Sequence, residues 1–496
     1  MKQKTQGVIR RISPAVYLLL CSVAAVGAFL LIRKGGGMML PWKYALLSMA
    51  ILPCIAAGIW AGIRPGAKPE YLFLCLFLGL GLVWSLALTP FSPPDEETHY
   101  FRALHISDTL FFGDKGRADA NYILYNQADY DVHVNSEMAM EGALSRFCER
   151  PSGRTAEIPL KAVWLPDYAP AVAGLTLGRA LGVSQPLLLL FGRWSVLLAC
   201  AALLWLAVRT APMYKPLLAL CALTPMALQI AVTLSYDGMI LGMSALLLAL
   251  LLRLVTGEGP VPAREMAALV ILTVLLTISK VAYAAPALLM LAIPRHRLSP
   301  GKKAVWAAIL GVCAGVAALL SGLSLYAANS GLNWEGQYNY SPAELLRQPL
   351  KLARILLDTI WYYKDFYLFG AVGKYLSGLT LTLSDPLSWS WLGLLLLCAV
   401  LGERRTLKLS RRLLLLGGYL LAGLILLLGL LFGNTSNTRV LVEGVQGRYF
   451  TPLLPVVLLL FGCGKLSLPE SRFPLWIAPA ALLQIWTVAE LLKATM

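Results

Sequence analysis

The chain has 496 residues, 58% of them hydrophobic and 14% charged, with a mean hydropathy of +0.69. A soluble domain of this size is nearer half apolar and a quarter charged, which excludes a large water-soluble enzyme and points to an integral membrane protein. The net charge of +16 sits in short connections between apolar runs, a pattern that marks topology and not a nucleic-acid surface.

In chain order, about thirteen spans are expected, at 14–32, 44–63, 71–90, 186–208, 216–235, 238–255, 265–279, 282–294, 304–327, 386–402, 412–432, 451–464 and 474–492. The basic start MKQKTQGVIRR looks like a signal peptide, but the apolar run reaches Ile32 with no small-residue cleavage site after it. It is therefore read as a retained first helix. The short pair at 265–279 and 282–294 reads as a broken or re-entrant span. Eight of the nine cysteines lie in or beside apolar segments, and only Cys148 is in a polar loop. Cys/His metal spacing is absent, so a structural zinc is not expected.

With the N-terminus inside, seven short inner segments collect half of the 42 Lys and Arg residues. PRHRLSPGKK and GERRTLKLSRR are the strongest inside markers, and an odd span count puts the C-terminus outside. Two long polar stretches, about 91–185 and 329–385, then fall outside. The first carries 13 of the 26 acidic residues. The second contains an amphipathic helical pattern at 342–363 that suits the membrane interface.

The sharpest local signal is FSPPDEETHYFRA at 91–103, where the third span ends. Pro93 and Pro94 stop the helix, and Asp95, Glu96 and Glu97 follow at once. Crowded, partly buried carboxylates have raised pKa values, which makes one of them a usable general base. Asp95 is placed to cap the next helix, with Glu97, His99 and Arg102 over its first turns. An acidic helix start would read the same way on composition alone.

VEGVQGRYFTP at 442–452 is the second cluster, with Gly444 and Gly447 around Gln446 and then Arg448 and Tyr449. Arginine there can meet a phosphate bidentately, or serve as an interfacial anchor. Asp237 in LTLSYDGMI and Lys280 in TISKVAY lie at span ends, where an ionisable group usually faces a cavity or a partner. His105 and His133 read as ordinary loop histidines. The chain has no P-loop, no GxGxxG unit, no HExxH and no GxSxG.

Pro93, Pro94, Asp95, Glu96, His99 and Tyr100, with GVQGRYF at 444–450, resemble the signatures of a large, largely uncharacterised family of bacterial multi-spanning proteins. Ser-Tyr-Asp at 235–237 and the spacing of Lys280 to Tyr283 fit its middle, and the resemblance covers about 70–465. That family is similar in layout to the GT-C glycosyltransferases, which use polyprenyl-phosphate-linked sugars and carry an Asp-Glu pair directly after a span. The resemblance implies an all-α polytopic fold of GT-C type with about thirteen transmembrane helices. It places an N-terminal hairpin at 1–69, a catalytic domain at 70–465 and a final helix at 466–496.

It also implies sugar transfer, with inversion, from a polyprenyl-phosphate donor to a cell-envelope glycan or lipid-linked acceptor at the outer face of a bacterial plasma membrane. Asp95 is then the base and Glu96 its orienting partner. His99, Arg102, Asp237, Lys280, Tyr283, Gln446, Arg448 and Tyr449 are then the substrate contacts. No cofactor is required by the sequence, although first-loop carboxylates are donors that a divalent metal can use. The partners expected are the donor lipid, the acceptor and membrane lipids, with no nucleic acid. A transporter or flippase of lipid-linked saccharides, or a polymerase or ligase of them, is the alternative.

Overall fold

The computed structural model describes residues 14–34, 41–63, 68–123, 134, 136–298, 336–464 and 473–494. The expected span at 304–327, His133, the basic segment 1–13 and the end of the 295–303 connection lie outside the described residues. Among the described residues helices dominate, and strands are confined to two two-stranded ladders.

Helices α1 (Pro14–Lys34) and α2 (Pro41–Ile63) pack on each other, and α2 packs on α3 (Pro69–Ala87). Pro69 starts α3, where its missing N–H costs nothing, and Leu88 ends it in extended backbone ahead of Pro90. The first long loop holds α4 (Glu96–Ser107), β1 (Arg117–Asp119), α5 (Glu137–Ser145), β2 (Thr155–Glu157) and α6 (Ala169–Ala180). β1 and β2 pair antiparallel, Ala118 opposite Ala156. The bundle resumes with α7 (Gln185–Thr210) and α10 (Asp237–Thr256), separated by α8 (Lys215–Ala222) and α9 (Pro225–Val232). α7 and α10 lie close because Gly242 faces the Leu203 side chain, which an added Cβ would approach to 2.7 Å.

Among the described residues six helical stretches are long and apolar enough to cross a membrane, and seven if the bent pair α8–α9 counts as one. The span expected at 216–235 is that pair, bent by 65°. Pro225 is the cause: it removes a backbone donor, and Thr224 Oγ1 instead accepts from Ala227 N at 3.4 Å. The Leu223 carbonyl freed at the break accepts from Gln484 Nε2 at 2.6 Å. Gln484 belongs to α15 (Phe473–Ala494), and its Oε1 accepts from Trp84 Nε1 of α3 at 3.2 Å. A polar break inside an apolar bundle thus keeps its hydrogen bonds.

The two short segments expected at 265–294 lie in one 30-residue apolar stretch, α11 (Ala263–Lys280) followed by a 3₁₀ helix from Val281 to Ala292, with extended backbone at Lys280 between them. The helix expected over 342–363 is interrupted at Arg347–Gln348 ahead of Pro349, and its longer part, α12, is Pro349–Val372. β3 (Tyr375–Leu376) and β4 (Leu381–Thr382) follow as a tight hairpin, then α13 (Asp385–Leu401) and α14 (Leu409–Gly433). Apolar helices at Asp385–Leu401 and Gly447–Phe461 stand where spans were expected at 386–402 and 451–464, the first of them 17 residues long. The ends of α3, α9 and α11 and the starts of α10 and of the 447–453 turn meet at one end of the bundle, beneath both long loops.

Candidate functional site

Asp95 stands where the sequence expects it, ahead of α4, but its side chain does not cap that helix. Its backbone is left-handed, at φ 64°, and so is that of Phe91 at φ 59°. Such a conformation costs a non-glycine residue about 1–3 kcal/mol and persists only where surrounding contacts impose it. The contact here is Arg448: Nη2 meets Asp95 Oδ2 at 2.5 Å, and Nη1 donates to Pro94 O at 3.1 Å. The strained turn therefore aims the carboxylate across the bundle end at an arginine 353 residues further along. The Asp95 side chain stays 57% exposed, whereas that of Arg448 is 9% exposed.

Glu96, the next residue, points inward and is fully buried. Arg193, inside α7, meets it through Nε to Oε1 at 2.8 Å and through Nη2 to Oε2 at 2.6 Å. Glu96 also accepts from Phe91 N and Leu234 N, each at 3.0 Å. Arg193 spends its remaining donors on the carbonyls of Ser85, Leu88 and Thr89 at the frayed end of α3. With its lone pairs committed in this way, Glu96 anchors the turn that carries Asp95. The lone arginine in the apolar run FGRWS was a readable signal for this partner.

The other expected residues gather around Asp95 and Arg448. Lys280 Nζ lies 4.0 Å from the centre of the Tyr449 ring, and Tyr449 adjoins Arg448, with Nη2 at 3.4 Å from its hydroxyl. Tyr283 is buried and donates its hydroxyl to Tyr449 O at 3.0 Å. Asp237 opens α10, and its charge acts on His99, Tyr283 and Arg448 together. Gln446 lines a small cleft with Arg448, Pro94 and Gln229. Gly447 permits that cleft: it sits on Gly370 of α12 so closely that a Cβ would come within 2.5 Å of Cα.

His99 is buried, with Nδ1 2.5 Å from the Tyr168 hydroxyl and its ring edge-on to Tyr236 at 4.9 Å. Burial pushes its pKa down to about 4, partly offset by Asp237 and Asp95, so the imidazole is neutral at pH 7. Arg102 bonds Tyr168, whose hydroxyl burial pushes up to about 12. Asp167, which the sequence reading passed over, lies next to Tyr168 and is 2% exposed. Burial raises its carboxyl to about 6, with Ser279 bonding it and Asp237 adding repulsion. Among the described residues its Oδ2 has no partner. Nothing in LPDYAP distinguishes it from a loop acid, since the docking that buries it is tertiary. His105 bonds Thr109 at 3.2 Å, apart from these groups. Among the described residues no three His, Cys, Asp or Glu side chains form a metal-binding cluster.

Residues 77–457 match the family model described as Predicted membrane protein (DUF2142). The chain belongs to that family. The DUF2142 match begins inside α3 and ends after the 447–453 turn, so it contains every segment that meets at the site. It agrees with the membrane-protein family expected from the PPDE and GVQGRY motifs. No curated protein and no solved structure matches the chain.

Proposed function

We propose that this DUF2142 member is a GT-C-type glycosyltransferase using a polyprenyl-phosphate-linked sugar, with its site at the extracytoplasmic end of the bundle. The observation that carries the reading is Asp95: a strained, half-exposed carboxylate gripped by a buried arginine, with Lys280 beyond Tyr449. A base beside cations at a membrane edge suits a donor whose phosphate lies at the interface and whose chain lies in the bilayer. The basic connection ahead of α14, in the sequence GERRTLKLSRR, supports the orientation.

Asp95 takes the proton of the acceptor hydroxyl as that oxygen bonds to the anomeric carbon and the bond from carbon to phosphate oxygen breaks. The polyprenyl phosphate leaves with the electron pair. One displacement inverts the anomeric centre. Arg448 and Lys280 stabilise the leaving phosphate. A donor phosphate that competes for the guanidinium draws Arg448 off the Asp95 carboxylate, which then faces the acceptor hydroxyl when the substrate is in place. Neutral His99 and the Tyr168–Arg102 pair back the helix that carries the turn.

The test is transfer in reconstituted vesicles, following labelled hexose from polyprenyl phosphate into envelope glycan or lipid acceptors. The reading expects turnover by the unaltered chain and its loss in Asp95→Asn. Sugar that crosses the bilayer still attached to its lipid would favour a flippase and overturn the transferase.

A further inference from the structure

Beside Arg448, four segments distant in sequence close around one small cavity. Pro94 comes from the first loop, Gln229 from α9, Ser377 and Leu379 from the β3–β4 turn, and Gln446 with Arg448 from the C-terminal motif. The space is about 10 Å³, the room of one water-sized group. Three polar atoms at its wall are buried without a partner among the described residues: Gln446 Oε1, Ser377 Oγ and Arg448 Nε. Ser377 is 1% exposed and Arg448 8%.

Orphaned buried polar atoms are rare and call for an explanation. Here they sit together and are complementary. Gln446 Oε1 is an acceptor, Arg448 Nε–H a donor, and the Ser377 hydroxyl can donate. Backbone strain gathers at the same wall, since Ser377 and Leu379 are left-handed at φ 53° and 69°. The turn is held in that shape by Gln229 Oε1, which accepts from Ser377 N at 2.8 Å. Strain of this kind collects where a ligand is clamped.

We propose that this cavity is a subsite for a single uncharged hydroxyl of the substrate, read by Gln446, Ser377 and Arg448. A hydroxyl has one proton to give and two lone pairs to offer, which satisfies one acceptor and two donors at once. A phosphate oxygen would leave Gln446 unpaired, and an ammonium would leave the Arg448 Nε–H facing a donor. The inference rests on the glycosyltransferase reading and narrows it: one hydroxyl of the transferred sugar selects the donor.

The test is binding to the purified full chain, with farnesyl phosphate and farnesyl phosphate linked to glucose, mannose or galactose as probes. One sugar should bind at least about tenfold better than the other two and than bare farnesyl phosphate. Gln446→Leu and Ser377→Ala should each bring the three sugars to within about threefold of one another. Affinity for bare farnesyl phosphate and the thermal midpoint should be unchanged in both. A preference that survives both variants, as a permanently held water would allow, overturns the subsite. So does equal binding of bare and sugar-linked probes, and both results leave the transferase reading standing. An unaltered chain that binds none of the probes overturns that reading and the subsite together.

Discussion

Two neighbouring carboxylates in this chain each meet an arginine, and the two pairs have opposite characters. Glu96 and Arg193 are fully buried, doubly bonded to each other and saturated by backbone partners. Asp95, on a left-handed backbone, meets Arg448 at the mouth of the bundle, and the aspartate remains more than half exposed. The inner pair closes the end of α3 where prolines have left carbonyls without helical donors. The outer pair stands at an entrance, where a competitor can reach it. Burial and saturation make the inner pair structural, and exposure at an entrance leaves the outer carboxylate within reach of a substrate.

The largest expected effect tests the inner pair. Removing one partner of a buried ion pair costs about 3–5 kcal/mol, because the other is left charged and unpaired. Arg193→Met should therefore lower the thermal midpoint steeply or prevent accumulation of folded protein. Adding Glu96→Leu to it should recover much of that loss. A stable Arg193→Met protein would show that the inner pair does not hold the turn.

Asp95→Asn is the matching test of the outer pair. Transfer should fall at least about a hundredfold, the lower end for a general base, while the midpoint stays put or rises, since asparagine tolerates a left-handed backbone. Full activity would remove Asp95 as the base. Next in size, Arg448→Lys keeps the charge and loses the fork that spans Pro94 O and Asp95. Donor use should weaken by about tenfold, read as kcat/KM for the lipid-linked sugar, with folding intact. An unchanged kcat/KM would make Arg448 an anchor only.

The smallest effect is one of pH. Asp167 titrates at about 6 in the fold, above its ordinary value of 3.8. The folded state therefore holds its proton longer, and this group makes stability fall as pH rises from about 4 to 6. His99 titrates at about 4, below its ordinary 6.5, and makes stability rise over nearly the same interval. The two slopes oppose each other in the wild type. Asp167→Asn should unmask the histidine, so that thermal midpoints climb more steeply between pH 4 and 6. A midpoint curve parallel to wild type would show that Asp167 is not buried as a titrating acid.

The membrane class of the chain, the breaks around Pro93 and Pro94, and most candidate residues of the site were legible in the sequence. Apolar length and charge sign act locally, so a single stretch of chain carries them. The span count was less legible, because a Pro225 bend and a 3₁₀ continuation leave hydropathy unchanged while altering the path. Asp95 and Glu96 are alike in type, adjacent in number and indistinguishable as letters. Only the tertiary structure separates them, because their roles depend on which arginine arrives from far along the chain. Asp167, Ser377 and Gln229 belong to the same class: their polarity matters through burial, and burial is settled by how distant segments pack.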